Sequence, residues 1–270
     1  MLDVDRSLLV GQPGRAVFLP TAAAEEGEDT VRYWLELGGR HFERLGVEPV
    51  PLPVLTREDA SRAELAELVA GAGLVYLSGG NPGYLAATLR GTLVWEAILA
   101  AWRGGAALAG CSAGACALSY VAEDVRAARA ARAAGGAAAG GAASRAGGQT
   151  ARGGAGRRGA GAGADADEAA GPTLAEPSGL AVIPEVAIIP HYDRMAQWIP
   201  DFADRYLARV PSEVTVVGVD EDTAIVTTAG DRPGARSFAV AGRQSAWLID
   251  ADGHRTEYPS GSTLSVPAPL

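Results

Sequence analysis

Ala106-Ala107-Leu108-Ala109-Gly110-Cys111-Ser112-Ala113-Gly114-Ala115 is an apolar run that breaks on a cysteine–serine pair between two glycines. Its first half reads as a short strand, and the residues after Ser112 can be helical. A nucleophile elbow has the order Gly, any residue, nucleophile, any residue, Gly, because the nucleophile adopts a strained backbone and its neighbours must be small. In that frame the nucleophile is Ser112; with Cys111 at the tip the glycines fall at the wrong spacing. The N–H of Ala113, at the helix start, would face a developing oxyanion. A second donor must come from a neighbouring loop, and Gly79-Gly80 is the natural supplier.

Working outward, strand-like apolar runs alternate with helix-period segments, the pattern of an α/β sheet with helices on both faces. Arg15 to Pro20 (RAVFLP) is the first strand-like run, and a helix with Val31, Leu35, Phe42 and Leu45 on one face follows. Val47 to Leu55 holds three prolines and is expected at a sheet edge. Thr56 to Asp59 has capping-box spacing before a helix expected to bury Leu65, Leu68 and Val69 and to stop at Gly71 and Gly73. Leu74 to Ser78 (LVYLS) opens directly into Gly79-Gly80-Asn81-Pro82-Gly83. A helix with Val94, Ile98 and Trp102 at four-residue spacing then leads to the elbow strand. Later come a strand-like run at Leu180 to Pro190, a helix with Ile199, Phe202, Tyr206 and Leu207, and strands at Val214 to Asp220 and Ala224 to Thr228. Arg236 to Asp250 reads as a hairpin turning near Gly242.

A serine needs a base. Of the three histidines, His41 falls inside a helix and His254 in a turn after Asp252-Gly253. His191 ends an apolar strand, at the carboxyl end where open α/β sheets place their chemistry. An imidazole there can take the serine proton and return it to a leaving group. A carboxylate should orient it. Glu123, Asp124, Asp193 and the cluster Asp220-Glu221-Asp222 are all candidates, and spacing alone does not choose among them.

The chain of 270 residues, 48% hydrophobic, is read as one hydrolytic domain over 1–270, interrupted at about 126–170 by residues that are almost all Ala, Gly and Arg. That stretch cannot bury enough apolar area to offset chain entropy and is expected to be a disordered surface insertion. Its arginines, Arg126 to Arg158, offer the alternative of an arm for an anionic partner. A net charge of −9 argues against a nucleic-acid role. Cys111 and Cys116, five apart, suit free thiols in a reducing compartment better than a disulfide framework. With no leader and no spanning apolar run in view, the expected location is the cytoplasm, away from membranes. No His or Cys cluster has ligand spacing, so neither metal nor organic cofactor is expected.

Together, Leu19-Pro20-Thr21-Ala22-Ala23, Leu77-Ser78-Gly79-Gly80-Asn81, Gly110 to Ala115, Ile189-Pro190-His191 and Val219-Asp220-Glu221-Asp222-Thr223-Ala224 resemble, in order and rough spacing, the dipeptidase E and cyanophycinase family of serine peptidases. The resemblance covers roughly residues 10 to 125 and 172 to 250. It implies a three-layer α/β/α sandwich with a mostly parallel central sheet, flavodoxin-like and class I glutamine-amidotransferase-like. It also implies a Ser112–His191–Glu221 triad, with the amides of Gly80 and Ala113 as oxyanion hole. Relatives that cut the Asp–Arg backbone polymer carry polar side chains where Pro82 and Pro190 stand here, which points away from that substrate. Members often begin with an additional Gly-rich strand that is not evident before Arg15.

The expectation is therefore a serine exopeptidase or related amidase acting on a small peptide, with a homodimer as the assembly it allows. Asn81, Arg194 and Arg205 are candidate substrate contacts, the arginines because a guanidinium matches a carboxylate bidentately. Two other readings stand beside it: an amidase of the glutamine-amidotransferase type using Cys111, and a non-catalytic binding protein that kept the fold.

Overall fold

The computed structural model describes residues 2–123, 173–198, 202–227 and 235–267. The expected insertion at about 126–170 lies outside them, as do Ile199 and Thr228.

Strand β1 (Arg15–Leu19) shows why the first half is an α/β sheet. Its side chains alternate between two apolar environments, as a period of two dictates. Val17 and Leu19 join a core with Val75, Leu77, Leu85 and Ile98. Ala16 and Phe18 face the opposite way, against Phe42 and Leu74. A strand buried on both faces belongs inside a parallel sheet covered by helices. The partners of β1 are β2 (Glu48–Pro51) and β3 (Leu74–Leu77), and β3 in turn pairs with β4 (Ala107–Gly110). All three pairings are parallel, in the order β2-β1-β3-β4. Proline-rich β2 takes the edge, where its missing N–H groups cost no ladder bond.

Helices supply the two outer layers of this sheet. On one side lie α1 (Leu2–Leu8) and α2 (Glu28–Leu45), and Phe42 of α2 meets Phe18 at 5.5 Å between ring centroids. On the other side lie α3 (Arg57–Ala60), α4 (Ala63–Glu67), α5 (Pro82–Leu89), α6 (Leu93–Arg103) and α7 (Ala113–Leu118). The Thr56–Asp59 capping box forms as expected. The helix after it is shorter than expected, because one capped turn ends at Ser61 before α4 restarts. Of the three residues assigned to its buried face only Val69 is buried, past the end of α4, while Leu68 is exposed. Trp102 is also exposed, although Val94 and Ile98 of the same face are buried.

In the second half β5 (Val186–Pro190) pairs in parallel with β6 (Thr215–Val219), and β6 pairs antiparallel with β9 (Ser245–Ile249). Strand β10 (Arg255–Pro259) completes the order β10-β9-β6-β5. Helices α8 (Tyr192–Trp198) and α9 (Phe202–Leu207) cover one face, through Met195 and Tyr206 against Ala187, Ile189 and Val216. A third sheet, β11-β8-β7, covers the other, built from β7 (Thr223–Thr227), β8 (Ala235–Gly242) and β11 (Thr263–Pro267). Phe238, Val240, Leu264 and Val266 of that sheet pack on Val186, Ile188 and Val217.

Two strand expectations need correction. Leu180 to Pro190 becomes a strand only at Val186, because Leu180, Ala181, Val182 and Ile183 donate to Ala117, Ser119 and Leu118 of the elbow helix and its exit. The segment at Arg236 to Asp250 is not a hairpin. Strand β8 lies between β7 and β11, while β9 lies between β6 and β10. The chain changes sheets at Gly242 to Ser245, and β8 and β9 meet face to face through Phe238, Val240 and Ala246. Alternating apolar residues look alike in edge pairing and face packing, which is why the pattern misled.

Phe238 is 2% exposed between the two sheets. Phe238→Ala is expected to destabilise the protein by about 3–5 kcal/mol, read as a lower urea midpoint. An unchanged midpoint would contradict this packing.

Candidate active site

The carboxyl ends of β3, β4, β5 and β6 carry the loops that build the site. Ser112 leaves β4 with φ 50° and ψ −111°, a conformation that L-residues rarely adopt. Its neighbours explain how this is tolerated. A Cβ on Gly110 would lie 2.4 Å from the carbonyl carbon of Gly114, and one on Gly114 would lie 2.2 Å from the Leu77 carbonyl oxygen. Only hydrogen fits at either place. The bend is then pinned by the Gly114 N–H donating to the Cys111 carbonyl at 2.8 Å and the Cys116 N–H donating to the Ser112 carbonyl at 3.1 Å.

His191 sits just past β5, also at positive φ, 52°. Its Nε2 is 3.0 Å from Ser112 Oγ, across 79 residues of sequence. Its Nδ1 is 3.3 Å from Glu221 Oε1, in the turn between β6 and β7. The three expected side chains are thus brought together in one line, and all are partly exposed to solvent. The other two histidines have carboxylates of their own, His41 with Asp5 at 2.9 Å and His254 with Asp250 at 3.3 Å.

The competing acids are engaged elsewhere. Glu123 forms a bidentate pair with Arg209 at 2.7 and 2.8 Å; burial pushes its carboxyl above the usual range, and Arg209 partly opposes that. Asp220 accepts from Trp247 Nε1 at 3.1 Å and from the Ser245 N–H at 3.3 Å, and burial raises it as well. Asp222 pairs with Arg243 at 3.4 Å. Asp193 does not pair with the imidazole; its Oδ1 accepts the Glu221 N–H at 2.9 Å, tying the turn that carries Glu221 to the helix that follows His191. Gln244 Nε2 donates to the Glu221 carbonyl at 2.8 Å from the other side. Asp124 lies outside the described residues.

Gly80 has φ 139°, and a Cβ there would lie 2.2 Å from the Ala22 carbonyl oxygen. The Thr21–Glu26 3-10 helix after β1 therefore packs directly on the Gly79-Gly80 loop. The position of a Gly79 Cβ is 3.6 Å from Ser112 Cβ, so this loop borders Ser112. Among the described residues no acceptor takes the N–H of Gly80 or of Ala113.

The candidate substrate contacts fare differently. Asn81 caps α5, its Oδ1 accepting the Tyr84 N–H at 3.0 Å, and its Nδ2 donates to Glu25 at 2.9 Å. Arg194 leans on Asp193 at 3.3 Å and on the second oxygen of Glu221 at 3.5 Å. Arg205 lies on α9 beside Tyr206. Sequence reading missed two indoles. The six-membered ring of Trp34 comes within 3.0 Å of the Gly79 Cβ position, and Trp198 packs on His191 at 5.6 Å between ring centroids. Trp198 stands seven residues after the histidine, a two-turn spacing that could have flagged it. Nothing local connects Trp34 to the elbow.

Cys111 stands beside Ser112 on the elbow and is partly buried. Burial pushes its thiol up, and the Tyr76 hydroxyl and the Gly79 N–H only partly offset this. Cys116 is buried and pushed up to about 12.

An α/β sheet with a strained serine at a strand end and an imidazole in hydrogen-bond contact with it is the construction of a serine-type peptidase. A family model and one solved structure agree with this. A family model described as peptidase family S51 matches residues 6–129. The crystal structure of a peptidase from an acI-B1 Actinobacterium is 30% identical over 98% of this chain and 90% of that one, with a TM-score of 0.71. A candidate peptidase E protein from Listeria monocytogenes EGD-e aligns with 92% of this chain and 87% of its own, at 16% identity and a TM-score of 0.43. No curated protein sequence matches the chain. The chain belongs to peptidase family S51, and it is a serine-type peptidase.

A thiol held up by burial stays protonated at neutral pH. Alkylation of Cys111 by iodoacetamide is expected to be slow at pH 7 and to rise only above the pH at which a free cysteine, with its pKa of about 8.5, ionises. Rapid labelling at neutral pH would show a reactive thiolate instead.

Proposed function

We propose that this peptidase hydrolyses small peptides through Ser112, His191 and Glu221. The observation that carries the proposal is the 3.0 Å contact between His191 Nε2 and the Oγ of a serine held at positive φ. Ser112 Oγ attacks the scissile carbonyl carbon while His191 Nε2 takes its proton. The carbonyl oxygen becomes an oxyanion beside the Gly80 and Ala113 amides. The C–N bond breaks as the imidazolium returns that proton to the leaving nitrogen, which departs as an amine. Water, deprotonated by the same imidazole, then releases the acyl group and restores Ser112. Glu221 holds the Nδ1 side of the ring and stabilises its cation. Asp193, Arg194 and Gln244 keep Glu221 in place.

The sheets and their elbow work as one hydrolytic domain in this reading. Two free thiols, Cys111 and Cys116, support a reducing, cytoplasmic setting. Among the described residues no helix is long and apolar enough to cross a membrane.

A fluorophosphonate probe is expected to label Ser112, with labelling abolished in Ser112→Ala and nearly so in His191→Ala. Peptide hydrolysis should fall by about 10³-fold or more in either variant, and on the order of 10²-fold in Glu221→Gln. Cys111→Ala should keep most of its activity. Activity lost only in the cysteine variant would transfer the chemistry to Cys111, and a protein that never labels would be a binding protein.

A further inference from the structure

We propose that Trp198 forms the wall of the subsite for the residue on the leaving side of the scissile bond and selects an apolar or aromatic side chain there; this rests on the Ser112–His191 mechanism above. The reaction itself fixes where that residue goes. The leaving nitrogen takes its proton from His191 Nε2, so it must come within hydrogen-bond reach, about 3 Å, of that atom. The side chain one bond further on therefore spreads beside the imidazole. Glu221 takes the Nδ1 edge at 3.3 Å, with Arg194 behind it at 3.5 Å. Trp198 packs on the ring itself, at 5.6 Å and an interplanar angle of 51°.

Trp198 is also 46% exposed, among the largest apolar surfaces that the described residues leave in water. An indole that served only to steady His191 could be covered; this one keeps nearly half its surface open while it packs on the imidazole. Such a surface rewards contact with another flat or branched apolar group and offers nothing to a carboxylate. The charges nearby point the same way. Glu221 and Asp193 stand on this side, and Arg194 beside them is engaged with both. An acidic leaving residue would meet repulsion, and a glycine would leave the indole face wet. Trp34 packs its six-membered ring on Gly79, in the loop that borders Ser112.

The test is a complete dipeptide library cut by the wild type, Trp198→Ala and Trp198→Phe, with fluorophosphonate labelling measured on all three. The wild type should favour Leu, Phe, Tyr or Trp as the leaving residue. Trp198→Ala should lower kcat/KM for those substrates about tenfold or more and for glycine-leaving ones about twofold or less, and Trp198→Phe should recover most of the loss. An equal loss on every substrate would make Trp198 a positioning residue for His191 and overturn the proposal. So would a wild-type preference for acidic leaving residues, or a library left uncut although Ser112 labels. Absent labelling in the wild type would instead remove the serine mechanism.

Discussion

Ser112 and His191 leave their strands on backbone that L-residues rarely adopt, at φ 50° and 52°, and their side chains meet at 3.0 Å. Each such residue costs on the order of 1–3 kcal/mol and persists only where the surrounding structure over-determines it. Here that structure can be named. Gly110 and Gly114 give way to the backbone around the serine, and Leu77 presses on the second of them. Behind the histidine, β5 is locked to β6, and Tyr192 packs so closely on Gly218 that a Cβ there would lie 2.6 Å from its ring. The Glu221 turn leaves the second of these strands and leads into β7. The remainder of the molecule can be seen as what keeps two strained residues from relaxing apart.

The two halves meet this demand by different means. The sheet with β1 to β4 is parallel and wrapped by helices, and it delivers the serine and the Gly79-Gly80 loop from adjacent strands. The sheet with β5 and β6 is covered on one face by a further antiparallel sheet, whose β7 begins directly after Glu221 and Asp222. That third sheet therefore stiffens the turn carrying the carboxylate. Asp193 adds the local tie, since its acceptance of the Glu221 N–H holds the Glu221 turn against the helix that follows His191.

Much of this was legible in the sequence, for physical reasons. The elbow could be read because its constraint is local: only glycine fits at 110 and 114, and only one residue can stand between them at the tip. The strands β1 and β3 could be read because burial on both faces leaves near-continuous apolar runs, and β4, only half-buried, keeps the same apolar run. His191 could be found by its place at a strand end. Glu221 could not be told from Asp193, Asp220 or Asp222 by spacing, because the choice depends on which carboxylates Arg243, Trp247 and the Glu221 amide already occupy. The departure of β8 and β9 into separate sheets and the exposure of Trp102 were equally hidden, since alternation records burial but not the partner that supplies it. Trp34 reaches the Gly79 loop from α2, far from the elbow in sequence, so no local pattern marks that contact.

A crystal structure of the protein with a phosphonate bonded to Ser112 Oγ tests the geometry most directly, because the phosphonyl oxygen stands where the oxyanion would. It should lie about 2.7–3.1 Å from both the Gly80 and the Ala113 amide nitrogens, with His191 Nε2 still in contact with Oγ and Glu221 still on Nδ1. A phosphonyl oxygen turned away from those amides, or an imidazole swung off the serine, would contradict the assignment of this site.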